Sequence, residues 1–259
     1  MISVVLATYN EEANIGRCLE AVTKLADEIV VVDGSSTDRT QEIAKKYGAR
    51  VITTTNKPNF HINKQMAMDK AKGELVLQLD ADEVVDEELK KFISHVHRLI
   101  TAADYQGPVA WYLKRKNLFL GHFFKKTGQY PDPVIRLFIN GQAKLPQQDV
   151  HEQMQVDGEV AWAEGHLIHY ANPSFQDYLR KWNTYTSFKA QQLAESNTSV
   201  NVSNTIKFMI WQPLKTFTLL FFRHKGFVDG VAGFIFSVMS ALYFPMSYLK
   251  LWELQHQPA

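Results

Sequence analysis

The strongest candidate for chemistry in the sequence is a pair of carboxylates, Asp80 and Asp82, separated only by Ala81. They directly follow the apolar run 75–79, so both lie where a buried strand is predicted to end. Carboxylate oxygens suit a hard divalent cation such as Mg²⁺ or Mn²⁺. Such a cation would bridge diphosphate oxygens and neutralise charge on a departing nucleotide. Asp-x-Asp also arises by chance and acidic residues favour helix starts, so the interpretation depends on the position behind a strand.

Two further polar clusters follow apolar runs. The first is Thr8-Tyr9-Asn10-Glu11, after the run 2–7. Within it, Thr8 and Asn10 either cap the first helix and shape its loop or contact a nucleotide, and the residues alone leave both roles open. The second cluster begins at Asp33, behind three valines, and is predicted at the mouth of a pocket. A carboxylate there would accept the ring N–H of a uracil base, or would serve as a turn residue.

Alternating strands and helices position these clusters. Apolar runs predict strands, and apolar residues at helical spacing predict helices, as follows: strands 2–7, 28–33, 50–55 and 74–79; helices 11–25, 38–47, 61–71 and 86–100. This alternation predicts an α/β fold with a mostly parallel sheet flanked by helices on both faces. Ligands of such sheets bind beyond the carboxyl ends of the strands, so one pocket should collect all three clusters.

The pattern changes after residue 109. Strands are predicted at 111–113 and 134–138, separated by a long loop over 121–133. Shorter strands are predicted at 150–156 and 167–170, and a helix at 175–194.

Composition narrows the class of protein. The 259 residues carry 28 basic and 27 acidic side chains, a net charge of +1, so no global field favours nucleic acid. The single cysteine, Cys18, excludes an internal disulfide framework, fits a reducing compartment, and is expected to be a small buried apolar residue. The first apolar run is too short for a signal peptide and lacks a basic flank, so we expect a cytoplasmic location.

The C-terminal third is unusually apolar. Aromatic stretches occupy 208–211 and 217–222, and residues 231–249 carry no charge. Basic and aromatic flanks favour a helical hairpin lying in the membrane interface. A packed helical subdomain or an oligomer contact is the second interpretation of this segment. The length would also permit a true membrane span, which the sequence favours least.

The ordered motifs resemble those of family 2 glycosyltransferases. They are Ala7-Thr8-Tyr9-Asn10-Glu11, Val32-Asp33-Gly34-Ser35-Ser36-Thr37-Asp38 and Leu79-Asp80-Ala81-Asp82-Glu83. Later segments resemble the branch that contains the β-1,4-glucosyltransferases of lipopolysaccharide core assembly. They are Tyr130-Pro131-Asp132, Arg136-Leu137-Phe138, Val150-His151-Glu152, Ile168-His169-Tyr170 and the segment 226–230 with its following apolar helix.

The resemblance implies a GT-A fold that binds a UDP-sugar and a divalent metal ion. The residues that it places around the donor nucleotide are Thr8, Tyr9, Asn10, Glu11, Asp33, Ser35, Asp38, Lys64, Asp80, Ala81 and Asp82. Asp33 would hold the uracil, Asp80 would contact the ribose or metal, and Asp82 would ligate the metal. His169 is a candidate further ligand, although a lone histidine between apolar residues is as often structural. Arg136 would pair with diphosphate, or else form an ion pair or lie at the surface.

Family 2 enzymes generally invert the anomeric centre, which requires a base opposite the leaving nucleotide. Glu152 is the candidate base, with Asp149 in reserve because it lies three positions away and could also face the pocket. His151 would orient the base or the acceptor. An exposed strand carboxylate is the alternative role for Glu152.

The sequence therefore predicts a metal-dependent, inverting glycosyltransferase that moves a hexose from a UDP-sugar to a lipid-linked, lipopolysaccharide or surface-glycan acceptor. It predicts a GT-A domain over 1–200, with a nucleotide half 1–105 and an acceptor half 106–200, and a helical segment over 201–259 that associates with the cytoplasmic face of the inner membrane. Alternatives are a polyprenyl-phosphate or protein glycosyltransferase of the same fold, and a non-catalytic scaffold. A non-catalytic scaffold would be expected to lack the metal-binding and base carboxylates, but Asp80, Asp82 and Glu152 are all present. The sequence is also compatible with an oligomer.

Overall fold

A computed structural model describes residues 1–147 and 153–256. The chain divides into two compact units. Unit 1 comprises Met1–Arg115 and Pro133–His169, and unit 2 comprises Lys116–Asp132 and Tyr170–Ala259. The functional boundaries at 105 and 200 stay a prediction.

The strands and helices alternate through the first hundred residues, as the apolar patterns predict. The strands are β1 (Ile2–Thr8), β2 (Glu28–Asp33), β3 (Arg50–Thr53), β4 (Leu75–Leu79), β5 (Glu83–Val85), β6 (Ala110–Phe119), β7 (His122–Phe123), β8 (Asp132–Ile139), β9 (Ala143–Lys144), β10 (Gln155–Val156) and β11 (Val160–Asn172). The α-helices are α1 (Ile15–Val22), α2 (Thr40–Lys46), α3 (Phe60–Asp69), α4 (Glu87–Ile100), α5 (Phe175–Glu195), α6 (Val202–Ile206), α7 (Gln212–Phe217) and α8 (Gly230–His256).

Among the described residues, nine strands form one sheet in the order β3-β2-β1-β4-β8-β6-β11-β5, with β7 beside β6. The first four strands in this order are mutually parallel, and Thr8 lies opposite Asp33 where β1 and β2 end. Leu6 lies opposite Leu79, so Asp80 follows β4 next to the end of β1. The parallel register thus brings the three polar clusters to one edge of the sheet.

The core of unit 1 covers both faces of these strands. Val4 and Leu6 of β1 pack into a cluster with α1 and α4, whereas Val5 packs into a second cluster with α3. This alternation explains why the strands are continuous apolar runs. Cys18 of α1 is fully buried in the first cluster, as expected, and burial raises the pKa of its thiol well above the usual value. The predicted α/β class with a mixed, mostly parallel sheet is confirmed.

Several of the predicted element boundaries are wrong, and α1 covers only Ile15–Val22 of the helix predicted at 11–25. β6 and β11 extend well beyond 111–113 and 167–170, because the charged residues 114–116 interrupt the apolar pattern of β6 without ending the strand. Arg115 is partly buried there and lies 3.4 Å from the Oε1 atom of Glu83. The predicted loop 121–133 contains β7 and the start of β8. Of the strand predicted at 150–156, only its end, Gln155–Val156, falls within the described residues.

Unit 2 is mainly helical. Between α6 and α8, the chain forms π-helical segments at Lys207–Trp211 and Thr218–Arg223 and a 3₁₀ turn at Gly226–Asp229. Phe119, Phe124 and Tyr178 form one buried cluster of this unit, and α8 packs along α5. The helical stretch Gly226–His256 is long and apolar enough to cross a membrane by length and composition.

Gly165 in β11 makes a close contact with the start of α4 that offers a test of the fold. A methyl group at Gly165 would come within 2.2 Å of the Leu89 backbone nitrogen. Gly48 has nearly the same backbone angle, φ +79° against +81°, but no heavy atom lies within 4 Å of its built Cβ. Gly48→Ala should lower the free energy of unfolding by about 1 kcal/mol, from backbone strain alone. Gly165→Ala should cost about 1–3 kcal/mol more, because the backbone must move.

Urea unfolding of both variants measures this difference. Equal losses for the two alanine variants would show that β11 does not pack tightly against α4.

Candidate active site

A hydrogen-bonded pair, Thr8 and Asp33, joins the ends of β1 and β2. The Thr8 hydroxyl donates to Asp33 Oδ2 at 2.8 Å, and both residues are buried. Ser36 donates its backbone N–H to Oδ1 at 2.8 Å and its hydroxyl to Oδ2 at 2.6 Å. The Gln41 side-chain amide donates to Oδ1 at 2.6 Å. Each carboxylate oxygen therefore accepts two hydrogen bonds.

Asp33 does not lie at the mouth of a pocket, as the sequence suggested, but is fully buried. The reason is local, because the turn after β2 folds Ser36 back over the carboxylate and α2 brings Gln41 to it. A uracil N–H would have to replace one of these four donors.

Asn10 connects the loops that follow β1 and β2. Its Oδ1 atom accepts from the Thr37 backbone N–H at 2.9 Å, and its own N–H donates to Ser36 Oγ at 2.8 Å. A positive φ of 55° at Asn10 permits both contacts, and asparagine tolerates that angle better than most residues. Ser35, at φ 65°, donates its hydroxyl to the Thr54 carbonyl.

Asp38, in the loop after β2, also connects the two loops by hydrogen bonds. It accepts from the Thr40 backbone N–H at 2.9 Å and from the Glu12 N–H at 3.1 Å, while the Glu11 N–H donates to Thr40 Oγ1 at 2.7 Å. Tyr9, beside them, is 43% exposed. Hydrogen bonds thus join the loops after β1 and β2 through Thr8, Asn10, Glu11, Asp33 and Asp38. Contact of these residues with a nucleotide stays a prediction.

Asp80 lies between two cations that come from different elements. Lys64 of α3 places its Nζ atom 2.5 Å from Oδ1, and Arg136 of β8 places its Nη2 atom 2.6 Å from Oδ2. Arg136 also donates to the buried side chain of Gln78 and lies 3.4 Å from Glu83 Oε1. Of the roles considered for Arg136, the structure shows the ion pair and excludes a surface position, because the residue is only 9% exposed.

The charges at this cluster control its protonation. Burial by itself would raise the pKa of the Asp80 carboxyl, but Arg136 and Lys64 hold that pKa well below its usual range. Burial lowers the pKa of the Lys64 ammonium, although Asp80 opposes the shift. Asp80 is therefore a carboxylate and not a carboxylic acid throughout the neutral range.

Asp82 and His169 meet beside this cluster. His169 lies opposite Glu83 in the antiparallel β5–β11 pair, and its Nε2 atom is 3.3 Å from Asp82 Oδ2. The His169 side chain is 18% exposed and the Asp82 side chain is 22% exposed, so neither is fully buried. The structure thus brings together two of the three residues predicted to bind metal, with Asp80 two positions away along the chain. Glu152, Asp149 and His151 lie outside the described residues.

Sequence analysis did not identify Glu83 and Gln78 as site residues. Glu83 is fully buried, and its Oε2 atom accepts the Asp80 backbone N–H at 2.9 Å. Gln78 is also fully buried and lies within the otherwise apolar strand β4. A lone glutamine in such a run is a signal that could have been used, because a buried amide requires partners.

The ion pair between Arg136 and Asp80 makes a stability prediction. Arg136→Met should lower the free energy of unfolding by about 3–5 kcal/mol at neutral pH, because it leaves buried carboxylates with one cation fewer. A depressed carboxyl pKa stabilises the fold above the unfolded-state value of 3.8 and loses that contribution as the pH falls below it. The deficit of Arg136→Met should therefore shrink in acid.

Arg39→Met is the matched control, because Arg39 pairs with Glu42 on the surface, where both side chains are about two-thirds exposed. Such exposed pairs contribute little to stability, so Arg39→Met should change the free energy of unfolding far less. Urea unfolding across the acid range gives both values. The role given to the Arg136–Asp80 ion pair would be contradicted if the loss of unfolding free energy in Arg136→Met did not change with pH. A loss no larger than that of Arg39→Met would contradict it as well.

Comparisons with known proteins identify the family of this chain. Residues 3–151 match the family described as glycosyl transferase family 2. An uncharacterized glycosyltransferase of Rickettsia typhi is 30% identical over 98% of this chain and 87% of its own length. The lipopolysaccharide core biosynthesis glycosyltransferase LpsC of Rhizobium meliloti is 28% identical over 97% of this chain and 92% of its own length.

Among solved structures, glucosyl-3-phosphoglycerate synthase of Mycobacterium tuberculosis with Mn²⁺, UDP-glucose and phosphoglyceric acid is 26% identical over 47% of this chain and 44% of its own, with a TM-score of 0.35. That score is too low to support a conclusion about this chain. The family match covers more than half of the sequence and includes the Thr8–Asp33 and Asp80–Asp82 clusters. The chain belongs to glycosyl transferase family 2 and is a glycosyltransferase.

Proposed function

We propose that this glycosyltransferase transfers a hexose, glucose or a similar sugar, from a UDP-sugar to a lipid-linked or lipopolysaccharide-type glycan, with inversion and with a divalent metal ion. The observation that carries the proposal is the pairing of Asp82 with His169 at the sheet edge that also holds Asp80 and the Thr8–Asp33 pair.

The donor atoms at this edge fit a divalent cation. Two cis ligands of an octahedral Mg²⁺ or Mn²⁺ ion lie about 3 Å apart, close to the 3.3 Å between Asp82 Oδ2 and His169 Nε2. Carboxylate and imidazole together suit Mn²⁺ better than Mg²⁺, which prefers oxygen ligands alone. Asp82 and His169 would hold the ion, and Asp80 would become a third ligand only by exchanging its pair with Lys64 or Arg136. Bound there, the ion would neutralise charge that develops on the leaving diphosphate.

Lys64 and Arg136 supply positive charge beside the same position. Both are paired with Asp80, so a diphosphate would compete with that carboxylate for their N–H groups. We propose that Lys64 binds the diphosphate, because its pair with Asp80 involves a single flexible ammonium, whereas the planar Arg136 guanidinium is also bonded to Gln78.

The uracil is proposed to bind at Asp33. Among its four donors, the Gln41 amide belongs to a long side chain on α2 and can be displaced with the least movement of backbone. Thr8 and Ser36 would keep the carboxylate in place while its Oδ1 atom accepts the uracil N–H.

The acceptor hydroxyl requires a base. Glu152 is the proposed base, and Asp149 the alternative; both proposals rest on sequence alone. The name of the Rhizobium meliloti relative supports a lipopolysaccharide-type acceptor. An acceptor of that kind lies at a membrane, so we propose peripheral association with the cytoplasmic face of the inner membrane through the C-terminal segment.

Metal and donor binding test the site. Calorimetry should detect UDP binding that requires Mn²⁺ and disappears with chelator. Asp82→Ala should abolish Mn²⁺-dependent binding, and His169→Ala should weaken Mn²⁺ binding about tenfold or more, since even indirect partners of a metal contribute that much.

His166→Ala is the control for His169→Ala, because His166 lies three residues earlier on β11 and pairs with Asp86 at 3.1 Å. The ligand atoms of Asp86, Glu88 and His166 lie within 4.8 Å of one another, so this cluster is the competing metal position. Loss of Mn²⁺ binding in His166→Ala but not in His169→Ala would assign the metal to the cluster of Asp86, Glu88 and His166. No UDP binding under any condition would refute the donor assignment.

The base is tested separately. Glu152→Gln should lower the transfer rate about 10²–10⁴-fold while UDP affinity stays unchanged, because a general base acts only on the acceptor. Asp149→Asn is the matched variant. Rapid-quench measurement of a single turnover gives the rate, and a normal rate in Glu152→Gln with a slow one in Asp149→Asn would reassign the base.

A further inference from the structure

A buried carboxylate in unit 2, Asp229, ties a basic loop to the start of α8. Its Oδ1 atom accepts from the Lys125 backbone N–H at 2.7 Å and lies 3.0 Å from His122 Nε2. Its Oδ2 atom accepts from the Lys126 N–H at 2.9 Å and the Thr127 hydroxyl at 2.6 Å. All the acceptor capacity of Asp229 is used within the chain, so the residue organises this loop and does not itself bind a ligand.

This arrangement collects positive charge at one corner of unit 2. The Thr127 N–H donates to the His224 carbonyl at 3.0 Å, which places the loop against residues 223–225. Lys125, Lys126, Arg223 and Lys225 are all exposed. Residues 196–252 contain five lysines and arginines, and their one acidic residue is the buried Asp229. The corner is therefore positive, with no exposed acid from the tail to offset it.

Exposed aromatic rings lie beside these cations. Phe221 contacts Phe222 at 5.3 Å, Phe227 at 6.3 Å and Phe234 at 5.8 Å between ring centroids. Phe222 is 59% exposed and Phe227 54% exposed, and the neighbouring Val228 and Val231 are exposed as well. A contiguous exposed apolar patch of this kind marks an interaction surface, because water contact with such rings is unfavourable.

We infer that Lys125, Lys126, Arg223 and Lys225, together with Phe222, Phe227, Val228 and Val231, dock this protein on the surface of an anionic phospholipid bilayer. We call this set the basic–aromatic corner. The inference deepens the proposed function, since it rests on the proposal that the acceptor is membrane-bound. Aromatic rings would enter the headgroup boundary while the cations contact lipid phosphates, the chemistry of interfacial protein segments.

The packing of α8 argues for docking on the bilayer surface over crossing it. The Trp182 indole N–H donates to the Met239 carbonyl at 3.1 Å, and Lys250 Nζ donates to Asn183 Oδ1 at 2.7 Å and to Thr186 Oγ1 at 2.8 Å. α5 thus lies along α8 over residues 239–250. Because α5 exposes Arg180 and Glu195, lipid could not surround this pair without burying charge.

Vesicle flotation of the full chain tests the inference. The protein should bind vesicles of phosphatidylcholine mixed with phosphatidylglycerol, bind pure phosphatidylcholine far more weakly, and dissociate as salt rises. Each cation near an anionic surface strengthens binding about fivefold. Lys125→Glu with Lys126→Glu should therefore weaken binding about thirtyfold or more. Phe227→Ser should weaken binding to the mixed vesicles at all salt concentrations.

Lys45→Glu with Lys46→Glu is the matched control, since it makes the same charge change at an adjacent exposed pair on α2. It should retain most of the binding. Equal losses in the two double variants, or equal binding to neutral vesicles, would overturn the inference. So would a concentration-dependent dimer, broken by Phe227→Ser, in a protein that binds no vesicle, because the corner would then join two copies of the chain.

Failure of this inference and failure of the proposed function are distinguishable. UDP and Mn²⁺ calorimetry needs no membrane, and Lys125→Glu with Lys126→Glu should leave both affinities unchanged. Vesicle binding without UDP binding would uphold the docking surface and refute the donor site, and the converse would refute only the docking surface.

Discussion

The ion pairs of Asp80 with Lys64 and Arg136 are the constraint on which the candidate active site of unit 1 depends. Removing a carboxylate and two cations from water costs several kcal/mol for each ion, and only close pairing offsets that cost. The three side chains come from the end of β4, from α3 and from β8, so the pairing fixes three elements relative to one another. A shift of one strand by a single residue would leave a buried charge without its partner.

The same pairing keeps the charges at this edge nearly balanced. A pocket lined by unpaired lysine and arginine would bind anions strongly but would repel itself when empty. Here Asp80 neutralises much of the cationic charge inside the fold, while Asp82 and His169 remain partly accessible beside it. The proposed ligand, a metal ion with a diphosphate, would bring both signs of charge and would exchange partners with the existing pairs without leaving any group unpaired.

The sequence predicted the parallel half of the sheet and its polar edge because both follow from local patterns. Apolar runs located β1, β2 and β4, and the rule that parallel strands end together located Thr8, Asp33 and Asp80 at one edge. The partners of these residues were not predictable in the same way. Arg136 reaches Asp80 because β8 pairs antiparallel with β4, and no periodicity in either segment specifies that neighbour. Likewise, His169 meets Asp82 only through the pairing of β5 with β11, and β5 lies in an acidic segment that showed no strand pattern.

Asp33 shows a second limit of sequence analysis, because a carboxylate behind an apolar run suggests an exposed ligand, yet this residue is buried. Asp229, to which sequence analysis assigned no role, is buried as well, and both residues have their lone pairs filled by the chain. Burial by itself would raise the pKa of Asp229, but its hydrogen bonds to His122, Thr127 and the loop backbone hold that pKa below its usual value. A saturated carboxylate of this kind organises a loop and leaves recognition to the exposed groups around it. In unit 2 those groups are lysines and phenylalanines, whereas in unit 1 the proposed binding of uracil at Asp33 would first require displacement of one of its four donors. The chemical role of each of these aspartates therefore depends on how many hydrogen-bond donors the fold already directs at its carboxylate. Residue type and spacing in the sequence do not reveal that number.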